Sequence, residues 1–136
     1  MNEVTLAIIK PDAYKSGVSG KIIDRIISEG FTINDMKQIQ LSKKMSEGFY
    51  EIHKERPFFD ELTLFMSSGK SIVLSLEREN AVSKWRKVIG ATNPEEAKEG
   101  TIRAQFGTNT GHNAVHGSDS SDNGKIESNY FFSKRI

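Results

Sequence analysis

The chain has 136 residues, enough for one domain and too few for two of ordinary size. Its 19 Lys and Arg nearly balance its 18 Asp and Glu, and the net charge of +1 argues against binding nucleic acid or an anionic membrane through overall charge. There is no Cys, which excludes disulfides, thiolate catalysis, Cys-ligated zinc and iron–sulfur clusters. A modest hydrophobic fraction of 36% favours a small core and some self-association. No signal peptide or membrane-spanning stretch is visible, so we expect a cytoplasmic protein.

The first part of the chain predicts a strand, a helix and a second strand. Residues 4–9 are an apolar, β-branched run that predicts a buried strand ending in a turn at Lys10-Pro11-Asp12. Four isoleucines within residues 22–27 recur at helical spacing, and Gly30 ends that helix. Residues 31–41 then predict a half-exposed strand.

Two helices are predicted in the middle of the chain. Ser42 is expected to cap the first, whose apolar face consists of Met45, Phe49 and Ile52. Pro57 is expected to begin the second, which ends at Gly69. The apolar residues of this second helix are Phe58, Phe59, Leu62, Phe65 and Met66.

The remaining elements complete a strand–helix–strand–helix pattern. Residues 71–76 predict a strand, and residues 82–89 predict a helix closed by Gly90. Residues 91–111 show little periodicity, which in a compact domain favours a functional loop, with Ile102 and Phe106 as its anchors. A short strand over 113–117 and a final helix capped by Ser118 or Asp119 follow. The order fits an α+β, ferredoxin-like (split βαβ) fold, in which a four-stranded antiparallel sheet carries helices on one face.

His116 is the strongest candidate for chemistry near neutral pH. It can be an ordinary loop histidine, or a metal ligand together with His112, as in a zinc hydrolase. It can also be a nucleophile, because a neutral imidazole nitrogen attacks well when a carboxylate holds the other nitrogen. Asp119 and Glu127 are equal candidates for that carboxylate.

Cationic side chains fall where open α/β and α+β folds build sites. Lys10 ends the first strand, Arg86 lies on a helix, Arg103 lies in the long loop and Arg56 precedes Pro57. Cations that converge on a polyphosphate stabilise the charge of a transferring phosphoryl group. The sequence contains neither GxxxxGK[ST] nor GxGxxG, so a nucleotide site here is neither a P-loop nor a Rossmann turn.

Phe58 lies at the first turn of a predicted helix, where an exposed ring can stack on a base. A nucleotide- or RNA-binding regulator on the same fold is therefore an alternative to an enzyme. RNA-binding modules of this type use aromatic residues on the sheet, and residues 71–76 contain none.

These segments together resemble the nucleoside diphosphate kinase family over nearly the whole chain. The matching blocks, in family order, are Lys10-Pro11-Asp12, Arg56-Pro57-Phe58-Phe59, Gly90-Ala91-Thr92-Asn93-Pro94, Gly100-Thr101-Ile102-Arg103 and Asn113-Ala114-Val115-His116-Gly117-Ser118-Asp119-Ser120. The resemblance implies a phosphotransferase that passes the γ-phosphate of a nucleoside triphosphate, typically ATP, to a nucleoside diphosphate. It also implies broad acceptance of bases and sugars.

The resemblance further implies roles for individual residues. His116 would carry the phosphoryl group, Glu127 would hydrogen-bond its far nitrogen, and Ser118 would support that carboxylate. The catalytic pocket would be lined by Lys10, Tyr50 and Asn113, and Lys10 and Asn113 would also reach the ribose 3′-hydroxyl. The phosphates would be held by Arg86, Thr92 and Arg103. The base would stack on Phe58, beside Leu62. Mg²⁺ would arrive with the nucleotide, bound mainly by phosphates and water.

Some positions depart from the family pattern. Ala13 replaces a usual Gly, Ile52 stands where an acidic residue is usual, and His112 occupies a position that is often Arg. The chain also ends soon after Phe132. The family resemblance implies a homo-oligomer, either a tetramer or a hexamer built from a common dimer.

Overall fold

The computed structural model describes residues 2–132. Within that range the chain forms four strands and seven α-helices, with two 3₁₀ turns at Glu51–His53 and Pro94–Glu96. In chain order the elements are β1 (Asn2–Ile9), α1 (Pro11–Lys15), α2 (Ser19–Ser28), β2 (Thr32–Ile39), α3 (Lys43–Phe49), α4 (Phe59–Met66), β3 (Ser71–Glu79), α5 (Ala81–Ile89), α6 (Ile102–Phe106), β4 (Val115–Gly117) and α7 (Ser121–Phe131). No helix among these residues is long and apolar enough to cross a membrane.

The four strands form one antiparallel sheet in the order β2-β3-β1-β4. Every residue of β1 pairs with β3, whereas β4 pairs only with Ala7, Ile8 and Ile9 at the end of β1. The prediction of an α+β, ferredoxin-like fold is confirmed. The short β4 places its residues beside the end of β1, where Lys10 follows.

Helices cover both faces of the sheet, so the expectation of helices on one face is wrong. Side chains alternate along β1, and Ala7 and Ile9 pack with buried residues of α2 and α5. Leu6 and Ile8 point to the opposite face and pack with residues of α3, α4 and α7. Because β1 and β3 are buried on both faces at their centres, the sheet does not offer the open surface that the RNA-binding alternative requires.

Helix boundaries follow local capping chemistry. Ser42 caps α3 as predicted, since its hydroxyl accepts from Met45 N over 3.0 Å. Helix α4 begins at Phe59 rather than at Pro57, and Ser120, not Ser118 or Asp119, caps α7 by accepting from Asn123 N.

The middle and late segments also differ in detail from the prediction. Ile52 lies in a 3₁₀ turn with 80% of its surface exposed, because α3 ends before it. The irregular stretch of residues 91–111 contains α6, in which Ile102 is fully buried and Phe106 packs against the core as expected.

Helix α7 crosses very close to β1, beyond the point where β4 pairing stops. A Cβ on Gly124 would overlap the carbonyl oxygen of Val4, so glycine permits this approach. Leu6 N donates to Ser118 Oγ over 3.0 Å, which satisfies a β1 group that β4 does not reach. The close approach brings the inner face of α7 toward the end of the sheet.

Candidate active site

A cavity of about 610 Å³ opens beside the ends of β1 and β4. Its walls come from the end of β1, the turn after α3, one face of α4, the segment before β4 and the beginning of α7. Of the residues to which the family resemblance assigns a role, those that line it are Lys10, Tyr50, Phe58, Leu62, Arg86, Thr92, Arg103, Asn113, His116 and Glu127. Ser118 is fully buried behind the wall, and Arg56 is exposed outside the lining.

His116 lies on β4 and is held by a short chain of hydrogen bonds. Its Nε2 lies 2.8 Å from Glu127 Oε1, and Ser118 Oγ donates to the same oxygen over 2.8 Å. Ser118 Oγ in turn accepts from Leu6 N. The carboxylate therefore favours a proton on Nε2 and leaves the lone pair of Nδ1 available. The choice that the sequence left open falls on Glu127, since Asp119 Oδ1 instead accepts from Asn123 Nδ2 over 2.5 Å.

The backbone around His116 is also fixed. Trp85 Nε1 donates to His116 O over 3.0 Å, and the indole lies so close that a Cβ on Gly117 would be 2.7 Å from Trp85 Cδ1. Ala114 adopts a φ of 74°, an unusual conformation for a residue with a side chain. Asp12 Oδ2 accepts from Ala114 N over 3.0 Å and helps to hold this strained residue. Sequence reasoning did not single out Asp12 for this role.

Lys10 is buried at the cavity wall and connects to two other predicted residues. Its Nζ donates to Asn113 Oδ1 over 2.8 Å, and Asn113 Nδ2 donates to Thr92 O over 3.0 Å. Burial, with a smaller contribution from the positive charge of Arg103, lowers the pKa of Lys10 to about 8. Its ammonium group is thus poorly compensated without an anion.

Arg103 braces the segments around the cavity. Its guanidinium donates to Gly90 O over 3.1 Å and to Val115 O over 2.8 Å. Burial, followed by the nearby charge of Arg86, lowers the pKa of Arg103 to about 10, so it stays positive at neutral pH.

Two buried polar atoms at the cavity lack partners among the described residues. They are Arg103 Nε and the hydroxyl of Tyr50. Burial raises the pKa of Tyr50, so its hydroxyl stays protonated and can donate. A buried donor without a partner costs free energy, and a ligand rich in acceptor oxygens would supply the missing hydrogen bonds.

The outer part of the cavity is apolar and aromatic. Phe58 is 47% exposed at its mouth, and Leu62 follows it one turn along α4. His53 also lines this part, with its ring centroid 5.7 Å from that of Phe58. Ile52, which departs from the family pattern, and His112, the candidate metal ligand, also line the cavity.

The residues do not support a protein-held metal centre at His112 and His116. His112 stacks on Phe65, while His116 pairs with Glu127. Across residues 2–132 no group of three or more His, Asp or Glu side chains is placed to hold a metal ion. The zinc-hydrolase alternative therefore lacks the set of ligands that it requires.

Comparison with known proteins gives a consistent result. The family model for nucleoside diphosphate kinase matches residues 3–136. A nucleoside diphosphate kinase of Campylobacter jejuni is 59% identical over 130 residues, covering 96% of this chain and 95% of the relative. One from Desulfotalea psychrophila is 53% identical over 131 residues, covering 96% of each.

Solved structures agree in fold. The nucleoside diphosphate kinase of Aquifex aeolicus superposes with a TM-score of 0.95 at 46% identity, covering 97% of this chain and 96% of that one. The halophilic enzyme of Halobacterium salinarum, solved in complex with CDP, gives a TM-score of 0.94 at 32% identity, covering 98% and 90%. With its sheet, its His116–Glu127 pair and these matches along nearly its whole length, the chain belongs to the nucleoside diphosphate kinase family.

Proposed function

We propose that this chain moves the γ-phosphate of a nucleoside triphosphate, typically ATP, onto His116 and from there onto a nucleoside diphosphate. The observation that carries the proposal is the His116 ring itself. Its Nε2 is hydrogen-bonded to Glu127 at the wall of a cavity that cationic side chains also line. Family membership supports the same reaction. The matched segment of residues 3–136 would act as one domain.

The first half-reaction forms a bond between Nδ1 of His116 and the γ-phosphorus, while the bond from that phosphorus to the β–γ bridging oxygen breaks. The bridging oxygen keeps its electron pair and leaves with the nucleoside diphosphate. Glu127 stabilises the positive charge that develops on the imidazole, and Ser118 keeps the carboxylate in place. In the second half-reaction, a terminal oxygen of a nucleoside diphosphate attacks the same phosphorus and the N–P bond breaks.

The polar end of the cavity suits the phosphates. Arg86, Arg103 and Thr92 would hold them, and the unpaired Nε of Arg103 would donate a hydrogen bond to a phosphate oxygen. Lys10 and Asn113 would act as a hydrogen-bonded pair toward the transferring group and the ribose 3′-hydroxyl. Tyr50 would donate its unpaired hydroxyl within the same pocket. Fixed positive charges and donors of this kind lower the barrier to phosphoryl transfer without reorganising during the reaction.

The apolar end suits the nucleoside. An exposed ring such as Phe58, with Leu62 beside it, contacts the face of any base and discriminates little between bases. The relative from Halobacterium salinarum was solved with CDP, which supports a nucleotide as a ligand of this chain. We therefore expect activity toward purine and pyrimidine nucleotides, in both ribose and deoxyribose forms.

Mg²⁺ fits this site as a companion of the nucleotide. The described residues hold no ready-made cluster of metal ligands, whereas Mg²⁺ commonly keeps its waters and binds phosphates with few carboxylates. The lining of the cavity presents two exposed carboxylates, Glu61 and Asp119. When bound, the ion would neutralise charge on the phosphate oxygens.

We also propose a cytoplasmic homo-oligomer, a tetramer or hexamer built from dimers, as family membership suggests. Sedimentation of the purified chain measures the number of subunits. A monomer at micromolar concentration would contradict this part of the proposal.

Incubation with γ-labelled ATP and Mg²⁺ tests the central step. We expect an acid-labile, base-stable phosphoprotein whose label passes to added nucleoside diphosphate. His116→Ala should take up no label, whereas His53→Ala, which changes another histidine at the same cavity, should still do so. Label that persists in His116→Ala would remove His116 from the proposed role.

A further inference from the structure

His112 and Phe65 form a stacked pair at the rim of the cavity. Their ring centroids lie 4.3 Å apart with an interplanar angle of 26°, and both side chains line the cavity. The phosphotransfer steps proposed for His116 use neither residue. The pair joins two walls that are distant in the sequence, one on α4 and one in the segment before β4.

The α4 side of the pair is firmly anchored. Phe58, Leu62 and Phe65 are spaced four and three residues apart, so they share the helix face that lines the cavity. Phe65 is half-buried and packs against the core cluster that includes Met66 and Tyr50. The ring of Phe65 is therefore a fixed support against which another group can be positioned.

The opposite wall is a small, self-contained turn. Asn109 Oδ1 accepts from Gly111 N over 3.0 Å and from His112 N over 2.9 Å, and His112 O accepts from Thr108 N over 2.8 Å. Among the described residues, no hydrogen bond joins a side chain of this turn to another element. Thr108, Asn109, Gly111 and His112 are exposed, so the stacked His112 ring is what ties the turn to α4.

The next residue in the chain links this contact to the polar end of the cavity. Asn113 accepts from Lys10 Nζ and donates to Thr92 O. These two bonds hold Asn113 independently of the stack, so loss of the His112 contact should leave the polar end of the cavity in place.

We propose that His112 is a positioning residue for nucleotide binding. Its stack on Phe65 sets the width of the cleft between α4 and the 108–113 segment, in which the nucleoside is bound. This inference rests on the proposed function, since it takes a nucleotide as the ligand of the cleft.

The position of the His112–Phe65 pair in the nucleoside-binding cleft determines which kinetic constant should change. Loss of the stack loosens the cleft for substrate and transition state alike, so KM should rise while kcat stays nearly constant. An aromatic pair of this geometry is typically worth enough to change affinity about two- to tenfold. A purely structural role would instead reduce the amount of folded enzyme and leave KM unchanged.

The first experiment measures kcat and KM for phosphate transfer from ATP to a nucleoside diphosphate. His112→Ala should raise both nucleotide KM values by about two- to tenfold. His112→Phe keeps a ring able to stack on Phe65 and should restore KM to within about twofold of the starting value. Thr108→Ala is the control on the same turn, because it removes side-chain atoms without touching the stack.

The second experiment measures equilibrium binding of ADP in a His116→Ala background, where no phosphoryl transfer can occur. His112→Ala should weaken ADP binding there by the same factor as it raises KM. Phe65→Leu should weaken it similarly, and the combination with His112→Ala should add little, as expected for partners in one contact.

The outcomes separate the two proposals. Unlabelled wild-type chain would refute phosphotransfer, yet ADP binding would still test the cleft. A His112→Ala variant with unchanged KM and unchanged ADP affinity would overturn the positioning role. So would a His112→Phe variant as weak as His112→Ala, since the stack would then not be the property that matters, or a fall in kcat without a change in KM.

Discussion

The buried bridge from Leu6 through Ser118 to Glu127 makes a quantitative prediction for Ser118→Ala. The substitution removes two hydrogen bonds, one accepted from Leu6 N over 3.0 Å and one donated to Glu127 Oε1 over 2.8 Å. Leu6 and Ser118 are fully buried, so the amide of Leu6 is left without water or a partner. An unsatisfied buried donor costs about 1–3 kcal/mol, and a hydrogen bond to a charged group contributes about 1.5–3 kcal/mol. Since the two losses share one site and overlap, we expect the free energy of unfolding to fall by about 2–4 kcal/mol.

The same substitution has a smaller, separable effect on catalysis. Glu127 keeps its contact with His116 Nε2 but loses the hydroxyl that fixes the shared oxygen. Removing a group that orients a metal-bound histidine costs about ten- to a hundredfold in activity, and we apply the same range to the orienting hydroxyl of this metal-free pair. We expect the rate of histidine phosphorylation to fall near the lower end of that range.

Urea unfolding and rapid-quench labelling with γ-labelled ATP measure these two effects on the same preparations. Ser75→Ala is the matched control, because Ser75 is also buried but its hydroxyl pairs only with the neutral Ser128 hydroxyl at 3.3 Å. The control should lose about 1 kcal/mol and label at the unaltered rate. A Ser118→Ala chain that is as stable as the Ser75→Ala chain and labels as fast as the original would refute the bridge as a source of both stability and rate.

Two further changes test the walls of the cavity. Gly117→Ala places a Cβ 2.7 Å from Trp85 Cδ1, and overpacking of this kind should lower the free energy of unfolding in urea by about 1–3 kcal/mol and shift the Trp85 fluorescence. An unaltered spectrum and unfolding curve would show that the surrounding residues accommodate the added methyl group without cost. Lys10 has its pKa lowered to about 8 in the free chain, and nearby phosphates favour its charged form, so nucleotide binding should take up protons above pH 8 and weaken as the pH rises through that value. Calorimetry in buffers of different ionisation heat measures this uptake, and equal uptake in Lys10→Gln would assign it to another group.

Most elements of the fold could be read from local patterns. The apolar run of residues 4–9 became the inner part of β1, half-buried at its first residue and buried beyond it. In α2, Ile22 and Ile26 became the buried face, whereas Ile27 is 59% exposed. Gly30 and Gly90 both have positive φ where the predicted helices end. Errors clustered at helix beginnings, as at Phe59 and Ser120, because capping depends on which nearby side chain actually reaches a free amide.

Much of the site was also accessible from sequence blocks. Ten of the residues to which the family resemblance assigns a role line one cavity. Some lie at or just beyond strand ends and others on helices α4, α5, α6 and α7, and the packing of these elements brings them together. Two side-chain contacts at the site could not be predicted from the sequence. Asp12 supports a strained Ala114, and His112 stacks on Phe65, and neither contact has a signature in residue spacing.

The sequence by itself determined the order of the elements, the absence of thiol chemistry and the short set of residues able to carry phosphate chemistry. Residue types and spacing left Asp119 and Glu127 as equal partners for His116, the family resemblance implied Glu127, and only the tertiary structure showed the contact itself. Both are close to His116 in the chain, but Gly124 lets α7 lie against β1 and turns Glu127 back toward the ring, while Asp119 bonds to Asn123. That choice depends on packing between β1 and the segment that leads into α7, which are 112 residues apart at the Leu6–Ser118 bond. Such long-range packing leaves no periodicity in the sequence.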